Sequence, residues 1–149
     1  LGNDVHITST TGSTSTTTGA LIVDGGVGIA GTANIQSVVI NGLYDQIGTS
    51  LTTSATTVNQ VALSLNTSTY RSAKIFVQAS AGSTYHAQEI MMMHDGSNVY
   101  MTEYAQILSG SGTTISTYDG DISTGNLRLL VSPLNSVTNY KISCTGIRV

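Results

Sequence analysis

The sequence has no Trp, one Pro, one Phe and one Cys, and only five Lys+Arg and eight Asp+Glu in 149 residues. A lone Cys144 rules out an intrachain disulfide, so stability must come from packing or from association between chains. No Lys or His lies near it in sequence to activate the thiol, and a small buried apolar residue of the last strand is expected there. Five scattered cations and a net charge of -3 cannot neutralise a run of phosphates, which excludes nucleic acid as a partner. The longest apolar runs, such as Ala20 to Val23 and Ile90 to Met93, fall far short of the ~18 residues that cross a bilayer, so no membrane insertion is expected. The chain opens at Leu1 without a basic or apolar leader and reads as part of a longer or processed protein.

What is abundant is small and uncharged: 23 Thr, 19 Ser and 16 Gly. Solubility therefore rests on hydroxyls and amides. A hydrophobic content of 40%, rich in Val, Ile, Leu and Tyr, is too apolar for a disordered chain. β-Branched residues dominate while the Ala/Leu/Glu/Lys set that builds helices is sparse, and an all-β protein follows.

Two textures divide the chain at residues 1–42 and 43–149. The first segment has no aromatic residue and a Thr/Ser tract from Thr8 to Thr18. From Gly19 it cuts into hexads, GALIVD, GGVGIA, GTANIQ and SVVING, with Leu21, Val27 and Val39 in one apolar column and Val23, Ile29 and Ile35 in another. Short strands between Gly-marked turns bury such residues only against neighbouring repeats or chains. The expectation is a Thr/Ser/Gly-rich β stalk in which several copies intertwine, with those six residues as its core. From Leu43 onward, turn-bounded runs recur at sandwich spacing. Strands are expected over Gln46–Thr52, Thr57–Leu65, Ala73–Ala79, Tyr85–His94, Asn98–Leu108, Thr114–Tyr118, Asn126–Ser132 and Asn139–Val149. Turns are expected at Ser80-Ala81-Gly82, Asp95-Gly96, Gly110-Ser111-Gly112, Asp119-Gly120 and Thr124-Gly125. Eight strands in one head domain suit a jelly-roll-like antiparallel β-sandwich.

Gly26-Val27-Gly28-Ile29-Ala30-Gly31 fits the dinucleotide fingerprint, but no helical pattern follows to carry the phosphate, so no cofactor is expected. His86, Glu89, His94 and Asp95 are the one cluster of metal-ligand types. Eight residues of strand at about 3.3 Å each put the histidines roughly 26 Å apart, too far to share an ion within one chain. They read as hydrogen-bonded surface or turn histidines, as does His6, and no metal is expected within one chain; one His from each of several symmetry-related chains is the alternative reading. Asp119-Gly120-Asp121 lacks the further ligands of a calcium loop. Met91, Met92 and Met93 put thioethers on both faces of one strand, suited to core on one side and a subunit contact on the other. Arg71, Lys74, Glu103 and Arg128 are candidates for pairs across a sheet or interface. Tyr85, Tyr100, Tyr104 and Tyr118 are the candidate binding surface, since amphipathic rings offer a platform to sugars. With few bases and no nucleophile elbow, the expectation is a chain that is not an enzyme; Glu89 and Glu103, on neighbouring strands, are the only acids that could serve glycan hydrolysis.

The stretch Ser13-Thr14-Ser15-Thr16-Thr17-Thr18-Gly19-Ala20-Leu21-Ile22-Val23-Asp24-Gly25-Gly26-Val27-Gly28-Ile29-Ala30-Gly31 resembles an element of tail-fibre and related virion structural proteins of tailed bacteriophages, especially phages of marine cyanobacteria. The stretches from Tyr70 to Lys74, His94 to Tyr104 and Leu127 to Pro133 are similar to a domain that follows such elements. The resemblance implies a homotrimeric fibre or appendage segment of the virion, assembled in the host cytoplasm, with an intertwined stalk leading into a β-sandwich head. Its partners would be copies of itself, other virion proteins and host cell-surface glycan. The function expected is structural attachment, with a carbohydrate-binding tip as the alternative and a glycan hydrolase as a third reading.

Overall fold

The computed structural model describes residues 5–149 apart from 14, 16, 36 and 111, and its regular structure is entirely antiparallel β. The chain divides into two compact units, Leu1–Asn34 and Ile35–Val149.

The described residues of the first unit form bends and turns and no strand. Their side-chain hydrogen bonds reach two or three residues along the chain, as between Ser9 and Thr11 (3.0 Å) and from Ser15 N–H to Thr18 Oγ1 (3.0 Å). Hydroxyls this close to their own backbone compete with ladder pairing. Leu21, Val23, Val27 and Ile29 are 66%, 47%, 68% and 58% exposed. Among the described residues of this unit, no layer faces these apolar columns.

Among the described residues, the second unit holds nine strands: β1 (Ser37–Ile40), β2 (Tyr44–Thr53), β3 (Gln60–Asn66), β4 (Tyr70–Ala81), β5 (Thr84–His94), β6 (Val99–Leu108), β7 (Ser116–Ser123), β8 (Asn126–Pro133) and β9 (Thr138–Arg148). They form a six-stranded sheet in the order β1-β2-β9-β4-β5-β6 and a three-stranded sheet in the order β3-β8-β7, every pair antiparallel. The split is six and three, and β4, β5 and β6 run as a meander within one sheet. β1 is the last hexad, SVVI, and pairs with β2, so Val39 and Ile40 belong to the second unit.

Strict alternation builds one core between the sheets. Ile75, Val77 and Ala79 of β4, Ile90 and Met92 of β5, and Tyr140, Ile142 and Cys144 of β9 turn inward from the large sheet. Leu63 and Leu65 of β3, Tyr118 of β7, and Leu127, Leu129 and Val131 of β8 meet them from the small one. Each fully buried aliphatic side chain contributes about 1.5–3 kcal/mol of transfer free energy. The Tyr140 hydroxyl, buried with them, donates to Ser116 Oγ at 2.8 Å. Thr124 and Gly125 both have positive φ (48° and 75°), as a two-residue type I′ hairpin requires.

Asp119-Gly120 is not a turn but the middle of β7. A Cβ on Gly120 would sit 2.5 Å from Met92 Cε and 3.0 Å from Val99 Cγ1, so this glycine lets the small sheet close on the large one. The Asp-Gly pair carries the composition of a turn for a packing reason.

Candidate functional site

The register of the six-stranded sheet fixes what its outer face presents. One row crosses all six strands as Ile40, Tyr44, Ile147, Ser72, Met93 and Tyr100. Another runs Gly48, Ser143, Phe76, Glu89 and Tyr104, and a third Ser50, Lys141, Gln78 and Ala87. Phe76, Tyr85, Met91, Met93 and Tyr100 are all exposed here. The Met triplet does place thioethers on both faces: Met92 is core, while Met91 and Met93 stand outside.

Of the candidate tyrosines, Tyr85, Tyr100 and Tyr104 share this outer face. Tyr118 does not. It is only 7% exposed, with its ring 5.7 Å from that of His86 and its hydroxyl buried without a hydrogen bond. Burial pushes its phenol far above the ordinary value. The Tyr100 hydroxyl donates to Asp95 Oδ2 at 2.9 Å. Asp95 also accepts from Asn98 N–H, Ser97 N–H and Asn98 Nδ2, and these bonds hold its carboxyl well below the usual carboxylate range. At the centre of the face Lys74 Nζ lies 3.3 Å from Glu89 Oε2.

The two strand histidines are core residues rather than surface or turn residues. Even numbers of β5 face inward, and His86 and His94 are almost fully buried. His94 Nε2 lies 2.8 Å from the Tyr70 carbonyl, and His86 Nε2 lies 3.2 Å from Gln88 Oε1 and 3.1 Å from Gln106 Nε2. A bulge in β6 where Ala105 has φ 51° turns Gln106 to this partner. His6 lies exposed in the first unit. Among the described residues no three His, Cys, Asp or Glu side chains converge as a metal site.

Glu89 and Glu103 are not a catalytic pair. Glu89 is opposite Tyr104 and points out, whereas Glu103 is opposite the core residue Ile90 and takes the inner face at the open edge of β6. Burial raises the Glu103 carboxyl above its ordinary value, with His86 working against the rise.

Of the charged groups expected to pair across a sheet, Lys74 does so with Glu89 and Arg128 with Asp121. Arg128 pairs with Asp121 across β7 and β8, through Nε at 2.7 Å and through Nη2, and Arg71 Nη1 donates to the His94 carbonyl at 3.2 Å. Arg148 makes two 3.0 Å bonds to Asp45, which also accepts from the Tyr70 hydroxyl. Burial pushes the Asp45 carboxyl up, but these two hydrogen bonds and the Arg148 charge outweigh it and hold it below the carboxylate range. The Tyr70 phenol is pushed up to about 12 by its burial and by Asp45. This cluster ties β2, β4 and β9 together. A cleft of about 470 Å³ beside it is lined by Ile47, Thr49, Leu63, Ser64 and Tyr70.

A second hollow, of about 490 Å³, lies on the outer face and is lined by Gly48, Ser50, Phe76, Gln78, Lys141 and Ser143. Sequence reasoning missed it. The available signals were the single Phe of the chain and a glycine in the middle of a strand pattern.

No family model and no curated protein matches the chain. Among solved structures, it is similar to a tailspike protein, gp49, from Acinetobacter baumannii bacteriophage Fri1, a capsular polysaccharide depolymerase. That likeness has 12% identity and a TM-score of 0.42 and covers 71% of this chain and 18% of that one. It is also similar to the tailspike protein of Acinetobacter phage vB_ApiP_P1, with 14% identity and a TM-score of 0.38 over 80% of this chain and 26% of that one. The chain thus spans less than a third of the length of either.

The expectation that the chain is not an enzyme is corrected at this point, because the first of these neighbours is a depolymerase. Few bases and no local motif were the grounds for it. A site drawn from several strands needs no local motif.

Proposed function

We propose that this chain is a segment of a phage tail appendage whose second unit presents a surface for attachment to another virion protein or to the host. The observation that carries the reading is the state of Leu21, Val23, Val27 and Ile29, exposed and without strand partners in a single chain. Apolar columns at a six-residue period find a facing layer when copies wrap around a common axis, where glycine allows close backbone approach. A homotrimeric stalk formed by Leu21, Val23, Val27, Ile29 and Ile35, with Val39 at its junction to β1, satisfies them. Three copies of a weak surface on one stiff stalk then gain from effective concentration. The resemblance of residues 13–31 to phage fibre elements supports the same reading.

A second reading has its own observation. Tyr85, Tyr100 and Tyr104 stand on one exposed sheet face with Phe76, which suits contact with the C–H faces of sugar rings. Host glycan is the attachment partner this face fits.

Immuno-electron microscopy tests the main reading. Antibody raised against the second unit is expected to label tail appendages of virions that carry the chain. Label confined to the capsid shell, or none on intact virions, contradicts it.

A further inference from the structure

Six outward positions form a grid on three neighbouring strands. Gly48, Ser143 and Phe76 make one row across β2, β9 and β4, and Ser50, Lys141 and Gln78 make the next. Together they line the hollow of about 490 Å³ described above, a shallow one open to solvent on the sheet face.

Three features set this grid apart from the rest of the face. The first is Gly48. The ladder of β2 with β9 runs unbroken from Tyr44 to Thr53, Gly48 has no positive φ, and a Cβ there would meet nothing within 4 Å. No bulge, turn or crowding within the chain calls for a glycine, and a strand interior favours a β-branched side chain. A mid-strand glycine of this kind marks the close approach of something outside the chain. The second is Lys141. Lys74, Arg128 and Arg148 are ion-paired and Arg71 is hydrogen-bonded, whereas Lys141 has no such partner among the described residues. The third is hydrogen bonding. On one side of the grid Gln46 Nε2 donates to Thr145 Oγ1 at 2.7 Å, and on the other Thr52 Oγ1 donates to Asn139 Oδ1 at 2.9 Å. Between these closed rows Ser50, Gln78, Lys141 and Ser143 make no side-chain hydrogen bond to the described residues, and the Phe76 ring beside them is 43% exposed.

We propose that this grid binds an acidic saccharide, with one sugar unit lying over Gly48 against the Phe76 ring and its carboxylate on Lys141 Nζ. Ser50, Gln78 and Ser143 then meet ring hydroxyls. A sugar ring pairs a flat C–H face with an edge of hydroxyls, and the grid offers an aromatic wall beside a rim of small donors and acceptors. The lone cation selects a carboxylate through a charge-assisted hydrogen bond. A nucleic acid would require several cations, and a peptide anchor would require a deeper apolar pocket. The proposal rests on the glycan reading of this face and names its site and ligand class.

Isothermal titration of the full chain with oligosaccharides of galacturonic, glucuronic and mannuronic acid, and with their carboxyl-reduced neutral forms, tests it. At least one acidic oligomer is expected to bind, about tenfold or more tighter than its neutral form. Lys141→Gln should bring the two forms level, Gly48→Val should weaken both about tenfold or more, and Arg128→Gln, on the small sheet, should change neither. Equal binding of acidic and neutral forms by the parent chain, or undiminished binding by Gly48→Val, overturns the proposal. Binding that survives Gly48→Val but is lost in Tyr100→Ala combined with Tyr104→Ala overturns the grid and leaves the glycan reading standing. No binding of any oligomer overturns both. A lower particle mass in Gly48→Val means that a second copy covers this face, and that also overturns the saccharide.

Discussion

Leu21, Val23, Val27 and Ile29 in the first unit and Ile75, Val77, Ile90 and Val131 in the second are the same kinds of side chain in opposite states. The former are exposed without strand partners, and the latter are completely buried. Local preference for strand is high in both segments, so it is not what separates them. The second unit has strands of up to twelve residues whose alternate side chains meet a facing sheet, whereas the first has pairs of apolar residues cut apart by glycine. Apolar content becomes a core only where a second layer exists to receive it, and in the proposed trimer other copies supply that layer to the first unit.

The strongest test of this contrast is a pair of truncations. Ile75→Ala should cost about 2–5 kcal/mol of unfolding free energy in urea. Leu21→Ala should move the same transition by less than about 0.5 kcal/mol. Cys144 provides the readout, because burial pushes its thiol up to about 12 and it should react with a maleimide only when the second unit opens. A cost above 2 kcal/mol for Leu21→Ala would erase the distinction between the units.

Filling the space that Gly120 leaves should come next in size. Gly120→Val drives a side chain into Met92 and Val99 and is expected to cost about 1–3 kcal/mol. An unchanged midpoint would mean that the sheets are not held as close as described.

Much of this was legible beforehand. Alternation and turn chemistry place a run on each strand from β2 to β9, but Asp119-Gly120 ends the run on β7 short of Ser123, because a glycine set there by packing has the composition of a turn. β1 was hidden, since SVVI reads equally well as the last hexad and only pairing with β2 assigns it. His86 and His94 were read as surface residues because imidazole is polar, yet even spacing along a strand whose even positions are core carries them inside. Tyr118 followed the same rule, with Ser116 and Tyr118 alternating inward. The Phe76–Lys141 grid left only two marks in the sequence, the single Phe and the mid-strand Gly48, and its assembly was hidden because register between strands far apart in sequence brings its residues together.

A smaller effect concerns pH. Asp45 has its carboxyl held below the ordinary 3.8 in the fold, so the stability it adds is complete above that value and is lost as pH falls through the lower folded value. Asp45→Asn should flatten the acid side of the stability profile and cost about 1–3 kcal/mol at neutral pH, through the bonds to Arg148 and Tyr70. A profile as steep as that of the parent chain would show that other carboxyls govern the acid limb.

The smallest effect belongs to the exposed pair. Lys74→Ala removes the contact with Glu89 and should change stability by less than about 1 kcal/mol, and less still at high salt.

The most direct test of the account is the absolute mass of the full chain in solution by light scattering on a sizing column, taken alongside Val27→Asp combined with Ile29→Asp. Three times the 15.4 kDa of one chain is expected for the parent, falling toward 15.4 kDa in the double variant while Cys144 stays protected. A parent chain that runs at 15.4 kDa across the accessible concentrations would contradict it.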